Sequence, residues 1–148
     1  MEPANDLRQQ GIELKLGTIP EYLHDKVVVV VDDSIVRGNV APRIVYLLKH
    51  HGAREVHMRV SSPPTIAPCA YGFDTWRITE ELIARRYKGY VPSILAAINN
   101  IITKRYPQKE RTYKLDSLAF LSLPGLKSAY ASPHEMCFAC WNGEYPVL

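Results

Sequence analysis

Long apolar runs are absent from this 148-residue chain, and cysteine, phenylalanine and tryptophan are scarce, at three, three and two. No stretch approaches the roughly 20 apolar residues of a membrane-spanning helix. Met1-Glu2-Pro3-Ala4-Asn5-Asp6 lacks the basic and apolar regions of a secretory signal, so a cytoplasmic protein without a membrane partner is expected. An odd cysteine count argues against a secreted disulfide framework. No dense Lys/Arg block interleaved with aromatics occurs, and a net charge of +3 is too mild to point to nucleic acid, although it suits a small anion. No internal repeat or low-complexity linker interrupts the chain. A hydrophobic share of 47% with 22% charged residues is ordinary for one soluble globular domain.

What is present is concentrated in one segment. Val27 to Val31 form an apolar run that stops at Asp32-Asp33 and enters Ser34-Ile35-Val36-Arg37-Gly38-Asn39. Five successive valines suit a strand buried on both faces, as in a parallel sheet. In such sheets ligands gather at the carboxyl ends of strands. There Asp32 and Asp33 can accept hydrogen bonds from two adjacent ribose hydroxyls or hold Mg²⁺ through water, and the Ser34–Asn39 backbone offers N–H groups to a phosphate. The same Asp-Asp-Ser also makes an ordinary helix cap.

The flanking sequence reads as alternating helices and strands. Pro42 fits the first turn of a helix whose Ile44, Val45, Leu47 and Leu48 face the sheet and which Gly52 ends. Glu55 to Ser61 alternates Val56, Met58 and Val60 inward as a strand. Thr79 before Glu80 and Glu81 predicts a helix start running to about Tyr87. A helix opened by Pro92 carries the clearest stripe, Ile94, Leu95, Ile98, Ile101 and Ile102, which is core or partner contact. His50, His51 and His57 read as solvated or capping groups rather than metal ligands. Lys104 to Lys114, broken by Pro107, reads as a solvated basic loop. Cys137 and Cys140 form a C-x-x-C, a spacing that lets two thiolates share a metal, although a redox pair or plain loop has the same spacing. Cys69 alone reads equally as a buried small hydrophobe.

The run from the valine strand through Asp32-Asp33 to Arg37-Gly38 resembles the phosphoribosyl-diphosphate (PRPP) motif of type I phosphoribosyltransferases, with Asn39 where that family usually has Thr. The surroundings resemble the amidophosphoribosyltransferase family in particular. Glu2-Pro3, Leu7-Arg8-Gln9, Gly11-Ile12 and Leu14-Lys15-Leu16 match the segment before the motif. Gly52-Ala53-Arg54-Glu55-Val56-His57 and Ser61-Ser62-Pro63-Pro64 match the strand after it. Asp116 to Leu123 matches a late strand, and Cys137 to Val147 the family's C-terminal region. Between Arg86 and Leu115 the resemblance lapses and the chain is longer than the family pattern, an insertion that could make a new interface.

The resemblance implies an incomplete α/β phosphoribosyltransferase fold: a parallel sheet of three or four strands flanked by helices on both faces. It implies that Asp32 and Asp33 hold the ribose and Mg²⁺, and that Ser34, Ile35, Val36, Arg37, Gly38 and Asn39 wrap the phosphate of PRPP or a nucleoside monophosphate. It assigns no catalytic residue. Cys69, Cys137 and Cys140 stand where iron–sulfur members carry ligands of a [4Fe–4S] cluster, which leaves a fourth to come from elsewhere. The family's glutaminase domain, pyrophosphate loop and lid have no counterpart in these 148 residues, and no cysteine precedes position 69. The expectation is a C-terminal transferase portion that makes 5-phosphoribosylamine only with a complementary polypeptide supplying the missing elements, and whose incomplete sheet pairs with a complementary chain or forms a homo-oligomer. The alternatives are a non-catalytic PRPP- or nucleotide-binding module and a degenerate remnant.

Overall fold

A computed structural model describes residues 18–72, 75–107 and 113–147. Three strands, β1 (Val27–Asp32), β2 (Glu55–Val60) and β3 (Ser117–Phe120), form a parallel sheet in the order β1-β2-β3. A single-turn helix α1 (Pro20–Leu23) precedes β1, and α2 (Val40–His50) joins β1 to β2. Between β2 and β3 run a 3-10 turn (Trp76–Glu81), a short α3 (Ile83–Arg86) and the 15-residue α4 (Val91–Arg105). Two short helices, α5 (Leu123–Ser128) and α6 (Ala139–Asn142), follow β3.

Both crossovers step in the same direction across the sheet. Right-handed connections of that kind place their helices on one face. The core is accordingly one-sided: Val56, Met58 and Val60 of β2 and Leu118 of β3 pack with Val45 of α2 and Ile94, Ile98 and Ile102 of α4. Each such side chain contributes about 1.5–3 kcal/mol on burial. The expectation of helices on both faces is therefore corrected among the described residues, and so is that of a valine run buried on both sides. Val28 and Val30 pack against the core, whereas Val27, Val29 and Val31 are 46%, 56% and 74% exposed. β1 is also an edge, because its only partner among the described strands is β2.

Val45 and Leu48 of α2 and Ile94, Leu95, Ile98 and Ile102 of α4 meet the core as expected, whereas Ile44, Leu47 and Ile101 lie outside it. α2 ends as expected at Gly52 (φ +97°), where the Ala53 N–H donates to Leu48 O at 3.0 Å and the Gly52 N–H to Lys49 O at 3.1 Å, the paired bonds of a Schellman cap. His51 Nδ1 lies 2.8 Å from Leu47 O, and the His50 ring stacks on Tyr46. The helix predicted from Thr79 does not form as one piece. Thr79 lies inside the 3-10 turn, and Leu82 (ψ 109°) is extended, so α3 starts only at Ile83. Leu82 is fully buried, and satisfying that burial overrides the acidic first-turn pattern.

At the amino end of the sheet, Lys49 is buried on the inward face of α2. Its Nζ lies 2.7 Å from Asp116 Oδ2 and donates to Arg54 O at 2.7 Å. The same Asp116 oxygen accepts the Val56 N–H at 2.8 Å. Burial alone would raise the Asp116 carboxyl, but the Lys49 ammonium and the Val56 N–H prevail and hold it below the usual 3.8. Asn99 of α4 completes the junction by exchanging two bonds with the Leu115 backbone, at 2.8 and 3.1 Å.

Asp116→Ala strands the buried ammonium and is expected to cost about 3–5 kcal/mol, read as a lower urea midpoint; an unchanged midpoint would refute the role. Because folding lowers the carboxyl's pKa, the pair's contribution is present above the unfolded value near 4 and is lost as pH falls through the folded value. The acid limb of the stability curve should therefore be shallower in the variant.

Candidate functional site

The site grows from the carboxyl end of β1. Asp32 closes the strand, and its carbonyl accepts the Ser61 N–H at 2.9 Å and the Ser61 hydroxyl at 3.3 Å, fixing it against the end of β2. One Asp32 carboxylate oxygen accepts the Asp33 N–H at 3.0 Å, and one Asp33 oxygen accepts the Ser34 N–H at 2.8 Å. Burial raises the Asp32 carboxyl above 3.8; the Asp33 N–H offsets part of this, and the neighbouring Asp33 charge pushes it up again. Two adjacent carboxylates of this kind favour hydroxyl donors or a cation in front of them.

The loop after Asp33 is held from behind by the core. Ile35 is 4% exposed and packs in the hydrophobic cluster. The Ile83 N–H donates to Val36 O at 2.9 Å, and Arg37 Nε lies 3.1 Å from Glu81 Oε2. Gly38 takes φ +72°, a backbone that favours glycine, and a Cβ built there would lie 2.7 Å from Ile83 Cδ1, so the isoleucine would have to shift. Asn39 occupies the N-cap position of α2 in a helical conformation, with no side-chain capping bond. The capping alternative for Asp32-Asp33-Ser34 is not taken up, because α2 begins only at Val40 and the two carboxylates bond the Asp33 and Ser34 N–H groups instead.

A cleft of about 520 Å³ opens over this loop, lined by Asp32, Ser34, Ile35, Val36, Arg37, Gly38 and Asn39 together with Val40, Ala41 and Ile78. Seven of the eight predicted residues are therefore in one place, while Asp33 is exposed outside the lining. Ile35 turns its side chain into the core, and Arg37 turns toward Glu81, so these two face the cleft chiefly through backbone. Among the described residues no hydrogen bond takes up the N–H groups of Arg37, Gly38 and Asn39. With the positive end of the 11-residue α2 behind them, they form a cradle for an anion. Sequence reasoning missed Ile78, Ile83 and Glu81, which shape the loop from more than 40 positions away; only the adjacency of an acid to the predicted helix start gave any sign of Glu81.

The three cysteines share one neighbourhood. The Ile66 and Ala67 N–H groups donate to Cys140 O at 2.9 and 3.1 Å, and the Tyr145 hydroxyl donates to Pro68 O, lacing the loop of Cys69 to the C-terminal segment. Burial, with the adjacent Cys69 and then Cys137, pushes the Cys140 thiol up to about 11. Cys137 is exposed. Among the described residues no three His, Cys, Asp or Glu side chains meet at one point as a finished metal site requires.

Comparison with known proteins places this geometry. Amidophosphoribosyltransferase 1, chloroplastic, of Arabidopsis thaliana is 43% identical over 148 residues, covering 99% of this chain and 23% of that protein. The amidophosphoribosyltransferase of Bacillus subtilis (strain 168) is 38% identical over 152 residues, covering 99% of this chain and 28% of that protein. Among solved structures, glutamine PRPP amidotransferase from B. subtilis complexed with ADP and GMP superposes with a TM-score of 0.73 at 40% identity, over 99% of this chain and 29% of that one. A structure described as the allosteric regulatory enzyme of purine biosynthesis gives 0.69 at 36%. No family model matches the chain. The chain spans about a quarter of the length of these relatives and corresponds to the C-terminal part of them. The matches run through residues 86–115, where the sequence alone suggested a lapse.

Gly38→Ala should cost about 1–2 kcal/mol from the left-handed backbone alone, with a further loss from the contact with Ile83. Combining it with Ile83→Ala should leave only the backbone part plus the cost of the lost isoleucine, so that the two changes are not additive in urea denaturation; strict additivity would refute the close approach.

Proposed function

We propose that this chain, homologous to the C-terminal part of amidophosphoribosyltransferases, binds PRPP or a nucleoside monophosphate at the Asp32–Asn39 loop and contributes that site to the synthesis of 5-phosphoribosylamine from PRPP and glutamine, at the entry to purine synthesis. The observation that carries this is the loop itself: two carboxylates at the end of β1, followed by free N–H groups at the start of α2, beside a cleft of about 520 Å³.

The residues divide the work by chemistry. Asp32 and Asp33 accept hydrogen bonds from the ribose hydroxyls and hold the ring, while the Arg37–Asn39 backbone receives the 5′-phosphate. Displacement at C1 passes through an oxocarbenium-like state, so a ribose fixed at its hydroxyls and phosphate reaches that state with less loss of freedom. Mg²⁺ held by Asp32 and Asp33 would neutralise charge on the departing pyrophosphate. Glutamine hydrolysis and closure over the site are assigned to residues outside these 148, as on a complementary chain. The exposed valines of edge strand β1 support such a contact.

A [4Fe–4S] cluster is the second part of the reading. Cys69, Cys137 and Cys140 would hold it, with a fourth thiolate from outside, and it would clip the 66–71 loop to the C-terminal segment. What supports this is the shared neighbourhood of the three thiols; Cys137 must close in, and Cys140 must lose a tightly held proton to the metal. Anaerobically prepared protein should contain iron and sulfide in equal amounts, lost on Cys140→Ser; protein without either would remove the cluster.

Calorimetric titration with PRPP and Mg²⁺ tests the main site. The combined change Asp32→Asn and Asp33→Asn should weaken binding by about 1–3 kcal/mol while circular dichroism stays unchanged. Unchanged affinity overturns the assignment, and binding without turnover in the presence of the full-length relatives' glutaminase part would reduce it to a binding module.

A further inference from the structure

The outer face of the sheet, opposite the helices, carries a group of polar side chains that PRPP binding does not use. Side chains alternate between faces along a strand, so β2 presents Glu55, His57 and Arg59 outward. The register sets His57 between Val29 and Ser117, and Arg59 between Val31 and Ala119. His57 is neither a solvated nor a capping group here: its Nδ1 lies 2.8 Å from Ser117 Oγ and its Nε2 3.1 Å from Glu55 Oε2. The tautomer with its hydrogen on Nε2 satisfies both contacts, donating to the carboxylate and accepting the serine O–H.

Polar pairs across neighbouring strands are common in sheets. A carboxylate, an imidazole and a hydroxyl bonded in that order are a narrower arrangement, because the base is oriented on one side and holds the proton of a nucleophile on the other. Arg59 adds a cation beside the same oxygen. Its Nη1 donates to Ser117 Oγ at 3.0 Å and to Met58 O at 2.9 Å, which fixes the guanidinium and leaves Nε and Nη2 as donors. A positive charge there favours the serine oxygen as an anion and suits a carbonyl oxygen that gains charge. Arg59 also lines a shallow hollow of about 360 Å³ with Val31, Ala119, Phe120 and Leu121, which gives room for a short apolar chain. A polypeptide that pairs along the β1 edge leaves this face open.

We infer that Glu55, His57 and Ser117 form an acyl-transfer site for carboxylic esters with a short apolar acyl group, sharing no residue with the Asp32–Asn39 cleft. Ser117 Oγ attacks the ester carbonyl carbon and gives its proton to His57 Nδ1, while Arg59 faces the oxyanion. The ester C–O bond breaks, and the leaving alkoxide takes that proton and departs as an alcohol. Water then attacks the acyl-serine, passing a proton to His57 Nδ1; the acyl C–Oγ bond breaks, the acid leaves and Ser117 recovers its proton. The sum is ester and water to acid and alcohol. Glu55 touches no substrate and is a positioning residue, holding the imidazole and steadying its charged form.

Labelling of the whole chain with an alkyl fluorophosphonate, which an activated serine attacks with loss of fluoride, reads the site directly by peptide mass spectrometry. The phosphonyl group is expected on Ser117, and the labelling rate should fall about a hundredfold in His57→Gln with circular dichroism unchanged. Hydrolysis of p-nitrophenyl butyrate should be lost in Ser117→Ala, and Glu55→Gln should lower kcat while KM holds. An unlabelled Ser117 overturns the site, and so does labelling indifferent to His57; because the first result comes from the unchanged chain, it decides even where a variant does not fold. Labelled Ser117 without butyrate hydrolysis overturns the ester substrate. PRPP binding is read separately by calorimetry, so either site can fail alone.

Discussion

The buried ammonium of Lys49 is the tie on which the arrangement of the sheet depends. It gathers the end of α2, the turn into β2 and the start of β3 at one point through Asp116 and the Arg54 carbonyl. Parallel strands have no hairpins to align them, so their relative heights must be set by connections elsewhere. Here Asp116 sets two at once, accepting from Lys49 and from the Val56 N–H beside which β3 begins. A hydrophobic pair in that position could hold the elements together but would not fix which residue faces which.

The opposite end of the sheet is free to be polar because the core is already closed between the strands, α2 and α4. Asp32, the Ser61 contact and the loop to Gly38 then follow as a rigid consequence of where β1 stops. Ile35 and Ile83 extend the core directly beneath the loop, so the cradle of N–H groups rests on packed side chains rather than on solvent. The carboxylates sit at the rim of an apolar interior, and that is why burial raises Asp32 while Asp33 stays in water.

Much of this was legible locally. A valine run stopping at two aspartates announces a strand and the polar loop after it, and the isoleucine stripe of α4 and the glycine cap of α2 announce their helices. The face that each valine meets was not legible, because it depends on the direction in which two crossovers travel. Thr79 with Glu80 and Glu81 imitated a helix start, and the burial of Leu82 broke it. Lys49 gave a faint signal by standing four residues beyond Val45 on an otherwise apolar face, but its partner lies 67 positions away and nothing local names Asp116. The grip of Ile83 on Gly38 is of the same long-range kind, and so is the meeting of Cys69 with Cys140.

The uniformity of β1 has a consequence for fidelity of assembly. A strand of identical side chains gives its neighbour no chemical landmark, so sliding β1 by one valine would leave the buried row as apolar as before. The alignment is encoded at the strand's two ends instead, by the Asp25 N–H on Gly52 O and the Arg54 N–H on Lys26 O at one, and by the Ser61 N–H on Asp32 O at the other. Such a slip would reverse the face to which the Asp32 carboxylate points. The position of the loop after β1 thus depends on these few backbone bonds, which act as the reading frame of an otherwise repetitive segment.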